Sequence, residues 1–171
     1  MIDYQLLEDV VKQMPKGAFL TTKISNQTNT MTIGWLTIGR VWEIDLITVY
    51  VRFSRYTYDL IENTKYFTVS IPDFKGKADK LKLWGETSGR DYEKLSMNDI
   101  IPTKSVDGIL IKGCQIHIEC EKVYDQPMDP FHLDTKLRDA FYGDEGDYHH
   151  IYYGKIIDMY KEEGLELFPG E

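Results

Sequence analysis

The segment TNTMTIGW, residues 28–35, carries threonine, methionine and isoleucine ahead of a glycine and a tryptophan. β-Branched residues favour extended backbone, so a strand is predicted over residues 30–37. A glycine in a strand lets a flat ligand approach the backbone closely, and Trp35 adds a wide apolar face. A core tryptophan beside a β-bulge would explain the same residues, so the segment alone leaves a binding role and a packing role open.

The segment RFSRYT, residues 52–57, lies between a strand predicted over residues 46–53 and a helix predicted over residues 57–63. Free N–H groups at the start of a helix attract phosphate, and arginine and hydroxyl side chains add hydrogen bonds to it. The plainer alternative is a helix capped by Thr57, with its arginines in solvent. Spacing alone does not choose between the two.

The rest of the chain alternates short strands and short helices. Helices are predicted over residues 3–13, 77–84, 91–95 and 132–142, and strands over residues 18–25, 66–71, 109–124 and 150–160. A polar turn is expected at residues 26–29, and residues 109–124 fit either one long strand with a bulge at Gly113 or a hairpin. Because no repeat or linker divides the 171 residues, we expect a single domain over residues 1–171.

The net negative charge of the chain limits the kinds of partner that it is expected to bind. A formal net charge of −8 disfavours non-specific nucleic-acid binding, which needs a positive field. No run approaches the roughly 20 apolar residues of a membrane-spanning helix, and the first residues do not resemble a signal peptide. A cytoplasmic protein without nucleic-acid or membrane partners is therefore expected.

Neither the cysteines nor the histidines predict a covalent link or a metal site. Cys114 and Cys120 would face the same side of one strand, about 20 Å apart at about 3.3 Å per residue, which is too far for a disulfide. We expect two buried, reduced thiols. His117, His132 and His150 lack the close ligand spacing of a metal centre, so no metal is expected.

Five segments together resemble the flavin reductase-like, FMN-binding split barrels, a family that includes the flavoredoxins. TNTMTIGW is followed by VRFSRYT and FTVSIP, then by WGETSGRDYEKLS and HHIYYGKI, in the order and spacing of that family. The last two look like its G-x-x-S-G-R-x-x-x-K segment and its final His-x-x-x-x-Gly strand. The resemblance covers residues 15–160.

The resemblance implies a mainly β fold, a six-stranded Greek-key split β-barrel with peripheral short helices. It also implies a homodimer with one non-covalent FMN per subunit near the interface. Four residues would line the isoalloxazine ring: Asn29, Met31, Thr32 and Trp35. Four would hold the phosphate: Arg52, Ser54, Arg55 and Thr57. Two more would close the site: Ser88 and Lys94.

The function that the resemblance implies is an oxidoreductase passing electrons from NAD(P)H through FMN to an unknown acceptor. No G-x-G-x-x-G fingerprint is present, so a nicotinamide would meet the exposed flavin face. Two alternatives stay open: a flavoredoxin-like carrier reduced by a redox partner protein, and a non-catalytic flavin-binding barrel. His149 matches the family's late-strand histidine, and either a catalytic role over the flavin or a structural role fits it.

Two departures from the family pattern concern the loop beside the flavin's outer face. Residues 40–45 read RVWEID where family members often carry a proline, and Phe53 stands where proline is frequent. Both bear on the choice of substrate more than on FMN binding.

Overall fold

An antiparallel sheet dominates the computed structural model, which describes residues 3–162. In chain order the strands are β1 (Ala18–Ile24), β2 (Gln27–Ile33), β3 (Leu36–Val41), β4 (Ile44–Arg52), β5 (Tyr66–Pro72), β6 (Ile100–Pro102), β7 (Ile109–Ile111), β8 (Cys114–Pro127) and β9 (His149–Lys161). Seven of them share one sheet in the order β2-β1-β5-β8-β9-β4-β3, while β6 and β7 pair separately.

The mainly β prediction is confirmed, but the sheet has seven strands where six were predicted. The extra strand arises because residues 30–37 do not form one strand: the chain leaves β2 at Gly34 and begins β3 at Leu36. The predicted turn at residues 26–29 is also shorter, since Ile24 pairs with Gln27 around a two-residue turn. Closure of the sheet into a Greek-key split barrel stays a prediction, because β2 and β3 end the strand order.

The hairpin between β3 and β4 was missed because its turn residues are unusual. Val41 pairs with Ile44, so Trp42 and Glu43 form a two-residue turn with φ of 54° and 60°. Such turns favour Asn-Gly, because other residues strain in the left-handed region. Here the Trp42 ring packs against Tyr124 and Tyr153, with centroids 5.8 and 6.4 Å away, which gives the turn a tertiary anchor.

Between residues 3 and 162, four α-helices lie around the sheet: α1 (Gln5–Gln13), α2 (Tyr56–Ile61), α3 (Phe74–Glu86) and α4 (Thr135–Phe141). The predicted cap at Thr57 is wrong, because Arg55 occupies the N-cap position with extended backbone. The helix predicted over residues 91–95 is also wrong, since this stretch forms turns and irregular backbone. Over residues 132–142 only α4 is α-helical, and the Asp134 side chain accepts hydrogen bonds from Lys136 N and Leu137 N at its start. Within residues 3–162, no helix has the length and apolarity to cross a membrane.

The core lies on both faces of the sheet, because neighbouring strand residues point to opposite sides. Leu20 belongs to a larger cluster that includes Val49, Phe67 and Tyr152. Phe19, one residue earlier, belongs to a smaller cluster with Leu81, Trp84, Ile111 and Cys114. The smaller cluster anchors α3 against the sheet and so fixes the segment that follows this helix.

The two cysteines lie in different clusters, which corrects the prediction that they face the same side. Cys114 packs in the smaller cluster and Cys120 in the larger one. A register shift causes the change, since Pro72 pairs with Cys114 while Ile71 pairs with Ile116, leaving one extra residue in β8. Both thiols are free and buried, as expected, and burial raises the pKa of the Cys114 thiol to about 12.

Candidate functional site

A cleft of about 420 Å³ opens where the ends of β2 and β4 meet α2 and the segment after α3. Eight of the ten residues predicted to contact a cofactor line it: Asn29, Met31, Arg52, Ser54, Arg55, Thr57, Ser88 and Lys94. They come from three separate stretches of chain, so their convergence is a product of the fold. The structure therefore brings most of the predicted set together, while the role of each stays a prediction.

One end of the cleft, the cationic end, is formed by Arg52, Arg55 and Lys94. The Arg52 guanidinium donates to the carbonyls of Asp147 at 2.8 Å and Phe141 at 2.9 Å. Arg55 Nη1 donates to the Gly85 carbonyl at 2.8 Å. Main-chain partners hold both guanidinium groups in place without neutralising their charge.

Lys94 is the most buried of these cations, with 8% of its surface exposed. Its Nζ donates to the carbonyls of Thr30 and Trp84, each at 3.0 Å, and so ties β2 to α3. Burial, followed by the nearby charge of Arg55, lowers the pKa of Lys94 from 10.5 to about 8. This ammonium group is therefore protonated at neutral pH but close to releasing its proton.

The floor beside the cationic end depends on a glycine. Asn29 Nδ2 donates to the Thr57 hydroxyl at 2.8 Å, and both side chains are buried. A Cβ added to Gly89 would overlap the Asn29 side chain and lie 2.8 Å from the Tyr56 ring. Glycine is thus required where the S-G-R segment passes over Asn29, and the next residue, Arg90, donates to the Ser54 carbonyl at 3.1 Å.

A group of rings packs behind the cleft-lining Phe141 and Tyr142 and surrounds His149; we call this region the aromatic end. Trp35, Tyr50 and Tyr142 have centroids 4.7, 6.4 and 5.6 Å from the imidazole, and Phe141 packs on Trp35 at 5.3 Å. His149 Nδ1 and the Tyr142 hydroxyl form a hydrogen bond of 2.8 Å. Burial, then the charge of Arg52, lowers the pKa of His149 to about 4, so the imidazole is neutral at neutral pH.

Three predicted residues do not line the cleft: Thr32, Trp35 and His149. The Thr32 hydroxyl donates to the Leu81 carbonyl of α3 at 2.6 Å. Trp35 and His149 contact Phe141 and Tyr142, which line the cleft in their place. Their predicted roles at a cofactor stay predictions.

The acidic loop between α4 and β9 contributes residues that the sequence analysis did not assign to the site. Glu145 and Asp147 line the cleft with Phe141 and Tyr142. The Asp147 carboxylate accepts hydrogen bonds from Ser54 N at 3.2 Å and from the Ser54 hydroxyl at 2.6 Å. Nothing in the local sequence signals this contact, because the two residues are 93 positions apart.

His150, which showed no partner pattern in the sequence, pairs with acids from distant elements. Its Nε2 lies 2.7 Å from Asp125 Oδ2 and 3.8 Å from Glu62 Oε1. The Tyr152 hydroxyl donates to the same Glu62 oxygen at 2.6 Å. These contacts form a histidine–carboxylate network, and the expectation of no metal stays a prediction.

The family model described as the flavin reductase like domain matches residues 11–168. The chain belongs to this family. The resemblance inferred from the five segments is thereby confirmed. In this flavin reductase-like chain the S-G-R segment and the arginine strand meet at one cleft, as described above.

Solved structures share the fold of this flavin reductase-like chain. Flavoredoxin from Methanosarcina acetivorans is 22% identical, with a TM-score of 0.69 over 88% of this chain and 70% of that one. The FMN-binding protein from Thermus thermophilus is 21% identical, with a TM-score of 0.68 over 87% of this chain and 71% of that one. The NADH:FAD oxidoreductase of Streptomyces globisporus C-1027 is 15% identical, with a TM-score of 0.65 over 96% and 88%.

A curated protein of Archaeoglobus fulgidus, itself uncharacterized, is 31% identical over 112 residues. That match covers 64% of this chain and 62% of the relative's length.

Proposed function

We propose that this flavin reductase-like chain binds FMN non-covalently in the cleft and passes electrons from NAD(P)H through it to an acceptor. The observation that carries the proposal is the convergence of Arg52, Arg55 and Lys94 with the hydroxyls of Ser54 and Thr57 on one cleft. Charge-assisted donors of this kind suit a phosphate group, and two arginines can bind it with directed hydrogen bonds.

The residues of the cleft fit FMN in size and chemistry. Its volume of about 420 Å³ lies within the range of ordinary ligand pockets. Beyond the cationic end, the buried Met31 and the rings of Phe141 and Tyr142 offer apolar surface to a flat ring system. Because Gly89 has no side chain where it passes over Asn29, the floor of the cleft stays open at this point.

In this proposal each part of the chain has a distinct task. Arg52, Arg55 and the Ser54 hydroxyl bind the phosphate. Lys94 would provide a positive charge, and a proton that its Nζ can transfer, near the edge of the ring. When bound, FMN supplies hydride and electron-transfer chemistry, which its protein environment tunes. Phe141 and Tyr142 exclude water from the ring. His149 orients Tyr142 through their 2.8 Å hydrogen bond and is proposed as the residue that positions this wall for a nicotinamide.

A cytoplasmic homodimer is part of the same proposal. Several large side chains near the cleft and hairpin stay open to solvent in the single chain, with Trp42 59%, Phe141 49% and Phe53 37% exposed. A two-fold pairing would cover such surface. Light scattering of the purified protein tests this, since a mass of one chain with flavin bound would contradict it.

Flavin binding and reduction are tested on the same preparation. Apo-protein is titrated with FMN and followed by quenching of flavin fluorescence, and the holo-protein is then mixed anaerobically with NADH or NADPH in a stopped-flow instrument. Bleaching of the flavin band by a nicotinamide supports the reductase. Bleaching only by a reduced partner protein favours the carrier, and failure to bind FMN contradicts both.

A further inference from the structure

The acidic loop at residues 143–147 places the Asp147 carboxylate against Ser54 in the cleft. Asp147 Oδ1 accepts from Ser54 N at 3.2 Å, and Oδ2 accepts from the Ser54 hydroxyl at 2.6 Å. The Ser54 hydroxyl is one of the groups that the proposed function assigns to the FMN phosphate. The folded chain thus already carries an anion at its anion-binding position.

A carboxylate and a phosphate compete for such donors. Both present anionic oxygens that accept hydrogen bonds from N–H and O–H groups, and the Ser54 hydroxyl has a single proton to donate. Two like charges this close together also repel, which weakens the binding of the incoming group. Binding of a phosphate at Ser54 therefore requires the Asp147 side chain to move away.

The loop does not depend on this side chain for its attachment. Arg52 Nη1 donates to the main-chain carbonyl of Asp147 at 2.8 Å, and Phe53 N donates to the carbonyl of Tyr148 at 3.2 Å. Tyr148 N also donates to the Gly146 carbonyl at 2.9 Å. These main-chain contacts can persist while the carboxylate rotates, so its contact with Ser54 is available for exchange.

We propose that Asp147 is an internal competitor for the flavin phosphate and makes FMN an exchangeable ligand of this chain. The inference rests on the proposed FMN site and adds its regulation. With the competitor in place, the phosphate contributes less to affinity than its donors allow, and bound FMN is released sooner. A flavin without phosphate does not meet the competitor.

The test compares FMN with riboflavin, which lacks the phosphate, on wild type and three variants. Asp147→Asn removes the charge with little change of shape, and Asp147→Ala also frees the Ser54 donors. Asp144→Asn removes the same charge from an exposed position of the same loop that does not line the cleft. Dissociation constants come from fluorescence titration, and thermal unfolding checks that each variant is folded.

Both Asp147 variants are expected to bind FMN about tenfold more tightly or better, while riboflavin affinity and the Asp144→Asn control stay near wild type. Unchanged FMN affinity, or an equal loss of FMN and riboflavin affinity, would overturn the inference by making Asp147 a structural residue. If wild type binds neither flavin, the proposed function itself fails, and the inference falls with it. If wild type binds both flavins but the Asp147 variants bind FMN no more tightly, the inference about Asp147 fails while the proposed function stands.

Discussion

The cationic end and the aromatic end of the cleft are stabilised in opposite ways. Arg52, Arg55 and Lys94 donate to main-chain carbonyls and keep their charge. His149, which packs against the cleft-lining Tyr142, is buried among rings and loses its charge, with its pKa lowered to about 4. The contrast teaches that the same burial leaves different charges on different side chains: it lowers the pKa of Lys94 from 10.5 to about 8 and that of His149 from 6.5 to about 4, so at neutral pH the lysine stays charged and the histidine is neutral.

The contrast predicts that the two ends respond differently to mutation. Arg55→Ala is expected to weaken FMN binding by about one to two decades, since a charge-assisted hydrogen bond contributes roughly 1.5–3 kcal/mol. Riboflavin affinity should change far less, because it has no phosphate. Fluorescence titration with both ligands measures the split.

Arg40→Ala provides the matched control for that variant. Arg40 is an exposed arginine that pairs with Asp45 and does not line the cleft. Equal losses for FMN and riboflavin in Arg55→Ala would show that Arg55 holds the Gly85 segment in place and does not bind phosphate.

At the aromatic end, His149→Ala is expected to act mainly on stability. It leaves the buried Tyr142 hydroxyl with only its weaker bond to Met128 Sδ at 3.2 Å, and loss of the 2.8 Å partner costs about 1 kcal/mol in the free energy of unfolding. FMN affinity should change little, because His149 does not line the cleft and Arg52 keeps its hydrogen bonds to the Asp147 and Phe141 carbonyls. Chemical denaturation followed by tyrosine and tryptophan fluorescence gives the first quantity, and titration gives the second.

His132→Ala is the control for this variant, since the His132 side chain is 87% exposed and pairs with Asp129 at the surface. If His149→Ala keeps full stability but slows NAD(P)H-driven reduction about tenfold, a barrier increase of about 1.4 kcal/mol, the histidine acts on the reacting nicotinamide and the assignment as a positioning residue is wrong.

The smallest expected effect concerns the pH dependence set by Lys94. As pH rises through about 8 the ammonium loses its charge, so FMN affinity should fall by a few-fold between pH 7 and 9. The free energy of unfolding changes in the opposite direction. The unfolded chain keeps this proton up to about pH 10.5, whereas the folded chain loses it near pH 8. Unfolding therefore takes up a proton between these two pH values, and stability rises with pH there. Titrations in Lys94→Gln should lack the affinity step, and a step that persists there would assign it to another group.

The five segments could be found from the sequence because each joins a strand pattern to residues with directed chemistry. Arg52, Ser54, Arg55 and Thr57 follow a run of β-formers, and the glycine of the S-G-R segment marks a close approach that the structure shows over Asn29. Such local patterns indicate both the type of secondary structure and the chemistry of the site. Most of the residues predicted from them therefore lie in the cleft.

The parts that the sequence could not reveal depend on contacts between distant residues. The Trp42-Glu43 turn contains no glycine or asparagine, and its left-handed backbone is supported by Tyr124 and Tyr153 from β8 and β9. Asp147 meets Ser54 across 93 positions, and the register shift beside Pro72 that separates the two cysteines has no marker in β8. Tertiary packing decides each of these, and local propensity does not report it.

The burial of Cys114 and Cys120 has a practical consequence for labelling. Both thiols are fully enclosed, and burial raises the pKa of each, so neither presents a thiolate to a maleimide or an iodoacetamide. The native cysteines of the folded protein are therefore expected not to react during site-directed labelling. A single cysteine introduced at an exposed position such as Met97, which is 84% accessible, would carry a fluorophore or spin label alone, without first removing the native cysteines.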